Sequence, residues 1–259
     1  MTDTDAFFRP EGDAFLPLPP ARGPWNPQSL NGRVVAGLLG HELERRHGAA
    51  GWLPARLTVD LYRLPNFDPV TIETRVVREG RRIKVVDAIF HSGGQDMARA
   101  SCQFLAEGEN AAGDVWRPEP WGAPAPDSLP DTDRAGPAPW AMRPIAGKFG
   151  EAGQRRTWMR ELRPMVAGVA ITPYARVAAA CDFVSPFAHS GDGGLGYINT
   201  DVALMLHRLP VGEWVGFESS YHGADAGIAA GECRLHDERG AIGFASCVAL
   251  AQRLVITPR

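Results

Sequence analysis

The sequence predicts an α+β chain made of two tandem helix-plus-antiparallel-sheet units, a pseudo-dimer within one polypeptide. Three observations carry that prediction. "ASC" occurs at Ala100–Cys102 and again at Ala245–Cys247, and "RLP" at Arg63–Pro65 and Arg208–Pro210, each pair 145 positions apart. The same register holds without gaps from residue 48: Gly48 falls on Gly193, Trp52 on Tyr197, Val70 on Val215, Ile83 on Ile228, His91 on His236 and Leu105 on Leu250. A period this long means a duplicated domain rather than a solenoid. Residues 106–140 are dense in Pro, Gly, Ala and Asp and read as a surface linker, with Trp116 and Trp121 as its candidate anchors. Each flanking segment carries one helical pattern followed by four strand patterns. The expected divisions are 1–105 for the first unit, 106–140 for the linker and 141–259 for the second unit.

In the first unit, Leu30, Val34, Leu38, Leu39 and Leu43 recur at helical spacing. Gly48 is a suitable stop, and Arg45, Arg46 and His47 suit the last turn. "ARLTVDLYRL" alternates Leu57, Val59 and Leu61 with Thr58, Asp60 and Tyr62, the mark of a half-buried strand. "VTIETRVVREG", "RRIKVVDAIFHSG" and "MARASCQFLA" follow as strands. The second unit repeats the order. Its helix, "TPYARVAAACDFV", has Thr172 as N-cap and Pro173 at the first helical position. Its strands are "YINTDVALMLHR", "EWVGFESSYH", "GIAAGECRLHD" and "GAIGFASCVALAQRLV". Each helix can bury its stripe on one sheet, and the two sheets can pair edge to edge.

The bulk numbers exclude several classes. The chain has 259 residues, is 44% hydrophobic and 22% charged, and carries a net charge of −3, which is no footprint for nucleic acid. No apolar stretch approaches the ~20 residues that span a bilayer, and "MTDTDAFFRP" lacks the pattern of a signal peptide. The expectation is a cytoplasmic protein with no nucleic-acid or membrane partner. The four cysteines have no zinc-ligand spacing and read as reduced, buried residues. "HELERRH" places His41 and His47 six apart, off the face a zinc helix needs, and reads as a solvated charged face. "GDGGLG", Gly191–Gly196, precedes a strand and not a helix, so it reads as a loop near a site mouth. His91 and His236 sit at equivalent turns and read as structural.

The words "GPWNPQSLNGRVVAGLLGHELE", "INTDVALMLHRLPVGEWV" and "GIAAGECRLHDERGAIGFAS" resemble the double-hotdog acyl-CoA thioesterases, the superfamily that includes acyl-CoA thioesterase II. The resemblance implies a double hotdog fold, an acyl-CoA site between the units, and hydrolysis by a water held by an aspartate, a threonine and a glutamine. Carried over residue by residue, the aspartate is Asp201. The threonine falls on Ser220, with Ser219 and His222 as neighbouring alternatives. The glutamine falls on Val248, which cannot hydrogen-bond a water. Gln103, equivalent to Val248 in the first unit, is the candidate replacement, and Asp60 is a weaker alternative base. Where relatives often carry His-Gly-Gly, this chain has Asn31-Gly32-Arg33: either Gly32 lines an oxyanion spot, or Asn31 caps the helix and Gly32 serves packing. Arg208 is a candidate for a CoA phosphate.

The expected function is therefore an acyl-CoA thioesterase. A non-hydrolytic acyl-CoA binding protein is the alternative that Val248 raises, and a hotdog hydratase or dehydratase comes third. No cofactor is expected, since CoA arrives as part of the substrate. Two units in one chain already satisfy the dimeric arrangement, so a homodimer or higher homo-oligomer is optional.

Overall fold

The computed structural model describes residues 5–26, 28–130 and 140–256. Residues 131–139 of the expected linker and the four residues at the start of the expected first unit lie outside the described residues. The first unit holds β1 (Phe8–Glu11), β2 (Ala14–Pro17), α1 (Gly32–His47), β3 (Trp52–Leu61), β4 (Val70–Glu79), β5 (Ile83–Ser92) and β6 (Gln95–Ala106). The second holds β7 (Trp140–Ala146), β8 (Arg156–Glu161), α2 (Pro173–Ala180), α3 (Val184–His189), β9 (Ser190–Gly191), β10 (Gly194–Asn199), β11 (Asp201–Leu206), β12 (Val215–Asp225), β13 (Ile228–Asp237) and β14 (Gly240–Ile256).

The strands form one sheet in the order β1-β2-β4-β5-β6-β3-β11-β14-β13-β12-β8-β7, with β9 and β10 joined beside β14. The order is a palindrome about the β3–β11 seam, as the edge-to-edge expectation requires. At that seam Thr58 faces Ala203, its own counterpart 145 positions on, and Leu57 faces Leu204. A pseudo-twofold axis therefore passes between Thr58 and Ala203. The bounds of β5 and β13 are offset by 145 at both ends, so the duplication survives to single-residue register.

The helices depart from the expectation in two ways. The second one breaks: α2 ends at Ala180, a 3₁₀ turn spans Cys181–Phe183, and α3 resumes at Val184. The helices also pack on each other, and not only on the sheet. A Cβ at Gly40 would lie 2.6 Å from the Cβ of Ala178, and one at Gly37 would lie 2.9 Å from that of Ala179. This contact reaches into "HELERRH" and overturns the solvated face. His41 and Glu42 are buried, and Glu42 is compensated by Arg45 at 2.7 and 2.8 Å and by Arg46 at 2.8 Å. All four cysteines are buried free thiols.

"GDGGLG" forms the turn from β9 into β10, and Gly194 sits at φ +89, a conformation that favours glycine. Of the two candidate anchors of the linker, Trp121 serves. Its ring stacks on His236 with centroids 4.3 Å apart and meets Trp158 edge-on at 4.6 Å. The ring lies over Gly216, where a Cβ would come within 2.3 Å of it. Trp116 is 82% exposed and does not anchor the linker. Trp121→Ala is expected to cost about 2 kcal/mol, less than a fully buried tryptophan because the ring is partly exposed. Trp116→Ala should cost less than about 0.5 kcal/mol. Urea unfolding midpoints of the two variants measure the difference.

Candidate active site

The site begins at the start of α1. Asn31 is the N-cap, and its side chain accepts the Arg33 N–H at 3.1 Å. A helix start leaves several backbone N–H groups without helical partners and favours negative charge nearby. The charge found there is Asp182, supplied by the 3₁₀ turn of the other unit. A Cβ on residue 32 would lie 2.8 and 2.9 Å from the two carboxylate oxygens of Asp182, so only glycine allows this approach. The cap-and-packing reading of the Asn31-Gly32 pair fits this geometry: Asn31 caps, and Gly32 makes room at the helix start. The group that occupies the room is a side chain of the protein itself.

Asp182 is held from two sides. The Asn199 side-chain amide donates to its Oδ1 at 2.9 Å and to the Asp201 backbone carbonyl at 3.2 Å. Burial pushes the Asp182 carboxyl above the usual aspartate range, opposed by the Asn199 hydrogen bond, the nearby Arg33 guanidinium and the Arg33 N–H. These groups line a cavity of about 460 Å³ between the units. That volume suits a small acyl group. Most of its wall is apolar, with Trp25, Trp140, Met142, Phe149, Met159 and Phe183 among the lining residues. Trp140 and Phe149 meet Phe183 edge-on at 5.5 and 6.0 Å.

Arg33 closes the same wall. It is 3% exposed, pairs with Glu161 through Nη1, and lies between the rings of Phe7 and Trp140 at 4.6 and 4.2 Å.

The sequence-predicted site residues do not assemble into one cluster. Asn31 and Gly32 line this cavity; Asp201, Ser220, Gln103 and Arg208 do not. Asp201 stands just behind it, with its carboxylate accepting the Val248 N–H at 2.7 Å and its Cα directly opposite Asp60. Burial raises its pKa, opposed by that N–H and reinforced by Asp60. Val248 is 45% exposed, whereas Cys247 and Ala249 beside it are buried, so the valine side chain lies on the outer face of β14. Gln103 faces Arg56 and Val85 across β6 while its neighbours Cys102 and Phe104 are buried, which puts it on the outer face too.

Ser220 is the extra residue of a bulge in β12 and donates to Glu232 Oε1 at 2.7 Å. It is three strands from Asp201 in the sheet order, roughly 14 Å at the usual strand spacing. It lines a separate, open cavity with Ser219, His222, His189 and Tyr197. There the ring nitrogens Nδ1 of His189 and His222 lie 2.9 Å apart.

Arg208 is committed elsewhere. It grips both carboxylate oxygens of Asp237, one of them at 2.6 Å, and donates to the Gly240 carbonyl at 3.1 Å. It fastens the β13–β14 turn. Sequence reasoning does not reach Asp182, Asn199 or Arg33. The available signal is a lone aspartate in the apolar run "AAACDFV".

A model of the acyl-CoA thioesterase N-terminal domain matches residues 21–105, and a model of the acyl-CoA thioesterase C-terminal domain matches residues 110–250. Three solved structures are similar along most of their length. One is a TesB protein of Mycobacterium avium subspecies paratuberculosis, with 18% identity and a TM-score of 0.71 over 94% of this chain and 95% of that one. A second is a conserved hot-dog-fold protein of unknown function from Alicyclobacillus acidocaldarius, with 17% identity and a TM-score of 0.75 over 98% of both chains. The third is the acyl-CoA thioesterase II TesB2 of Mycobacterium marinum, with 18% identity and a TM-score of 0.65 over 85% of this chain and 90% of that one. At these identities the likeness establishes a shared double hotdog fold. No curated protein matches.

Proposed function

Since the chain belongs to the acyl-CoA thioesterase family, we propose that it hydrolyses acyl-CoA thioesters in the cavity between its units, with Asp182 holding the attacking water. The observation that carries this reading is the placement of Asp182: a carboxylate of raised pKa, fixed by Asn199, at a helix start and in the wall of an acyl-sized apolar cavity. A carboxylate whose pKa moves toward neutrality is a better general base than a free aspartate. The water oxygen attacks the thioester carbonyl carbon while its proton passes to Asp182. The tetrahedral intermediate then collapses, the carbon–sulfur bond breaks, and the CoA thiolate leaves and takes up a proton. The N-terminal turn of α1 favours the negative charge that builds on the carbonyl oxygen. Asn199 is a positioning residue, since its amide fixes Asp182.

The residue-by-residue resemblance favours a second reading, in which Asp201 is the base. Its Oδ1 is occupied by the Val248 N–H, and the substitution Asp201→Asn would keep an acceptor there. On the Asp182 reading, Asp201→Asn should slow thiol release from a panel of short, medium, long and aromatic acyl-CoAs by less than about tenfold. Abolished release in that variant, with the fold intact, would transfer the role to Asp201. No release by the wild type from any acyl-CoA, with binding retained, would make the chain a binding protein.

A further inference from the structure

Among the described residues, two basic ones line the cavity between the units, Arg22 and Arg33. Arg33 is buried and paired with Glu161, whereas Arg22 is exposed. Backbone contacts fix where Arg22 stands. The Asn31 N–H donates to the Ala21 carbonyl at 2.9 Å, and Arg22 itself pairs across an antiparallel bridge with Leu30. Bridge partners lie about 5 Å apart, so the Arg22 backbone stands within roughly 12 Å of Gly32 at the start of α1. Its guanidinium carbon lies over the Phe67 ring, 4.4 Å from the centroid. A cation–π contact holds the charge through the ring and does not use the N–H fork by which arginine takes up a phosphate.

Exposure among the lining residues orients a substrate. Arg22 is exposed, Gly32, Asp182 and Asn199 are half-buried, and Met159 and Phe183 are buried. A CoA thioester keeps its nucleotide in solvent. Its acyl group therefore lies against the buried residues, its carbonyl beside the half-buried ones, and its pantetheine arm leaves on the exposed side, where Arg22 stands. From the sulfur to the oxygen that carries the first phosphate, that arm is a dozen bonds long, about 14 Å when extended. The span is comparable to the separation of Arg22 from the helix start. Charge points the same way. The Asp182 carboxylate repels a phosphate, and the exposed guanidinium attracts one.

We propose that Arg22 binds the phosphate at the end of the pantetheine arm of an acyl-CoA, and so distinguishes a phosphorylated thioester from an unphosphorylated one. The inference rests on reading this cavity as the acyl site. Guanidinium and phosphate form charge-assisted, bidentate hydrogen bonds, and solvent at an exposed site screens them. The expected discrimination is about three- to tenfold.

The test holds the acyl group constant and varies the leaving thiol: the hexanoyl thioesters of CoA, of 4′-phosphopantetheine and of pantetheine. The wild type should favour the 4′-phosphopantetheine thioester over the pantetheine thioester by about threefold or more in kcat/KM, with the difference in KM. In Arg22→Gln that ratio should fall to about one. A ratio taken within one preparation is insensitive to loss of overall activity, so a merely structural role for Arg22 would leave it unchanged. A wild-type ratio near one, or a ratio unchanged in Arg22→Gln, overturns the proposal and leaves the thioesterase reading standing. A preference for the CoA thioester alone, abolished by the same substitution, also overturns it, because Arg22 would then meet the nucleotide and not the end of the arm. If nothing is hydrolysed, the thioesterase reading fails, and calorimetry with CoA, 4′-phosphopantetheine and pantetheine decides the inference. Tighter binding of both phosphorylated thiols by the wild type, lost in Arg22→Gln, supports it; equal binding or none overturns it.

Discussion

Asp182→Asn is expected to lower kcat for acyl-CoA hydrolysis by roughly 10²–10⁴-fold, the usual contribution of a positioned base, with little change in KM. The same variant should be more stable than the wild type at neutral pH. The sign follows from linkage. Burial raises the folded-state pKa of Asp182 above its ordinary value, so the folded protein holds this proton more tightly than the unfolded chain. Stability from this group is present at low pH and is lost as pH rises through the raised pKa. Asparagine has no charge to desolvate and keeps an oxygen for the Asn199 amide. A purely structural Asp182 predicts the reverse, a variant that is destabilised and retains kcat once folded. The wild-type rate should also fall with acid at a pH above the ordinary aspartate range, because the base must be deprotonated. Denaturant melts, kcat, KM and the pH profile together separate the two cases. Gly32→Ala supplies an independent check. Its methyl would sit 2.8 Å from Asp182 Oδ1, displacing the carboxylate, so kcat should fall while Asp182 remains in the chain.

The sheet was legible in the sequence because the duplication is ungapped where the sheet is built. From residue 48 onward a shift of 145 carries β4 onto β12 and β5 onto β13, and the apolar alternation of β3 and β11 already told which side meets the helices. Before residue 48 that register stops. The hairpin of β1 and β2 and the pair β7 and β8 therefore have no internal echo, and their assembly depends on distant contacts. The Phe7 N–H bonds the Pro164 carbonyl at 3.1 Å and the Phe8 N–H bonds the Met165 carbonyl at 3.0 Å. Asn31 and Gly32 were legible as a cap and a close approach at a helix start. The separation of Asp201, Ser220 and Gln103 was not, for a geometric reason. The face on which a strand residue emerges depends on bulges, and the bulge between Ser219 and Tyr221 changes the register at the residue in question. The ion pair of Arg208 was not legible because its partner, Asp237, lies 29 positions away across a turn. Asp182 looked like a helix-interior residue; only the break in the helix and a glycine from the other unit turn it toward a cavity.

Acid should destabilise the fold well above the range where carboxylates alone would do so, because two histidines are buried in neutral form. His189 and His236 are each 4% exposed, and burial pushes both pKa values down to about 4. His222 lowers His189 further, and the Arg156 and Arg234 guanidinium groups lower His236. Their geometry agrees. His189 sits between His222 at 2.9 Å and the Cys247 sulfur at 3.5 Å, and neither ring nitrogen of His236 has a hydrogen-bond partner among the described residues. A pKa depressed on folding means that the unfolded chain binds more protons between about 4 and the ordinary histidine value near 6.5. Stability should therefore fall as pH drops through that window, by about 3 kcal/mol for each histidine at most. His236→Phe keeps a ring against Trp121 and removes the titration, so its loss of stability between about pH 7 and about pH 4.5 should be shallower than that of the wild type. His189→Leu should do the same independently, since the two sites share no partner. Parallel curves for the wild type and both variants would assign the acid sensitivity to carboxylates such as Asp237, whose pKa is held down by Arg208 and the N–H groups of Val211 and Arg239 against the effect of burial.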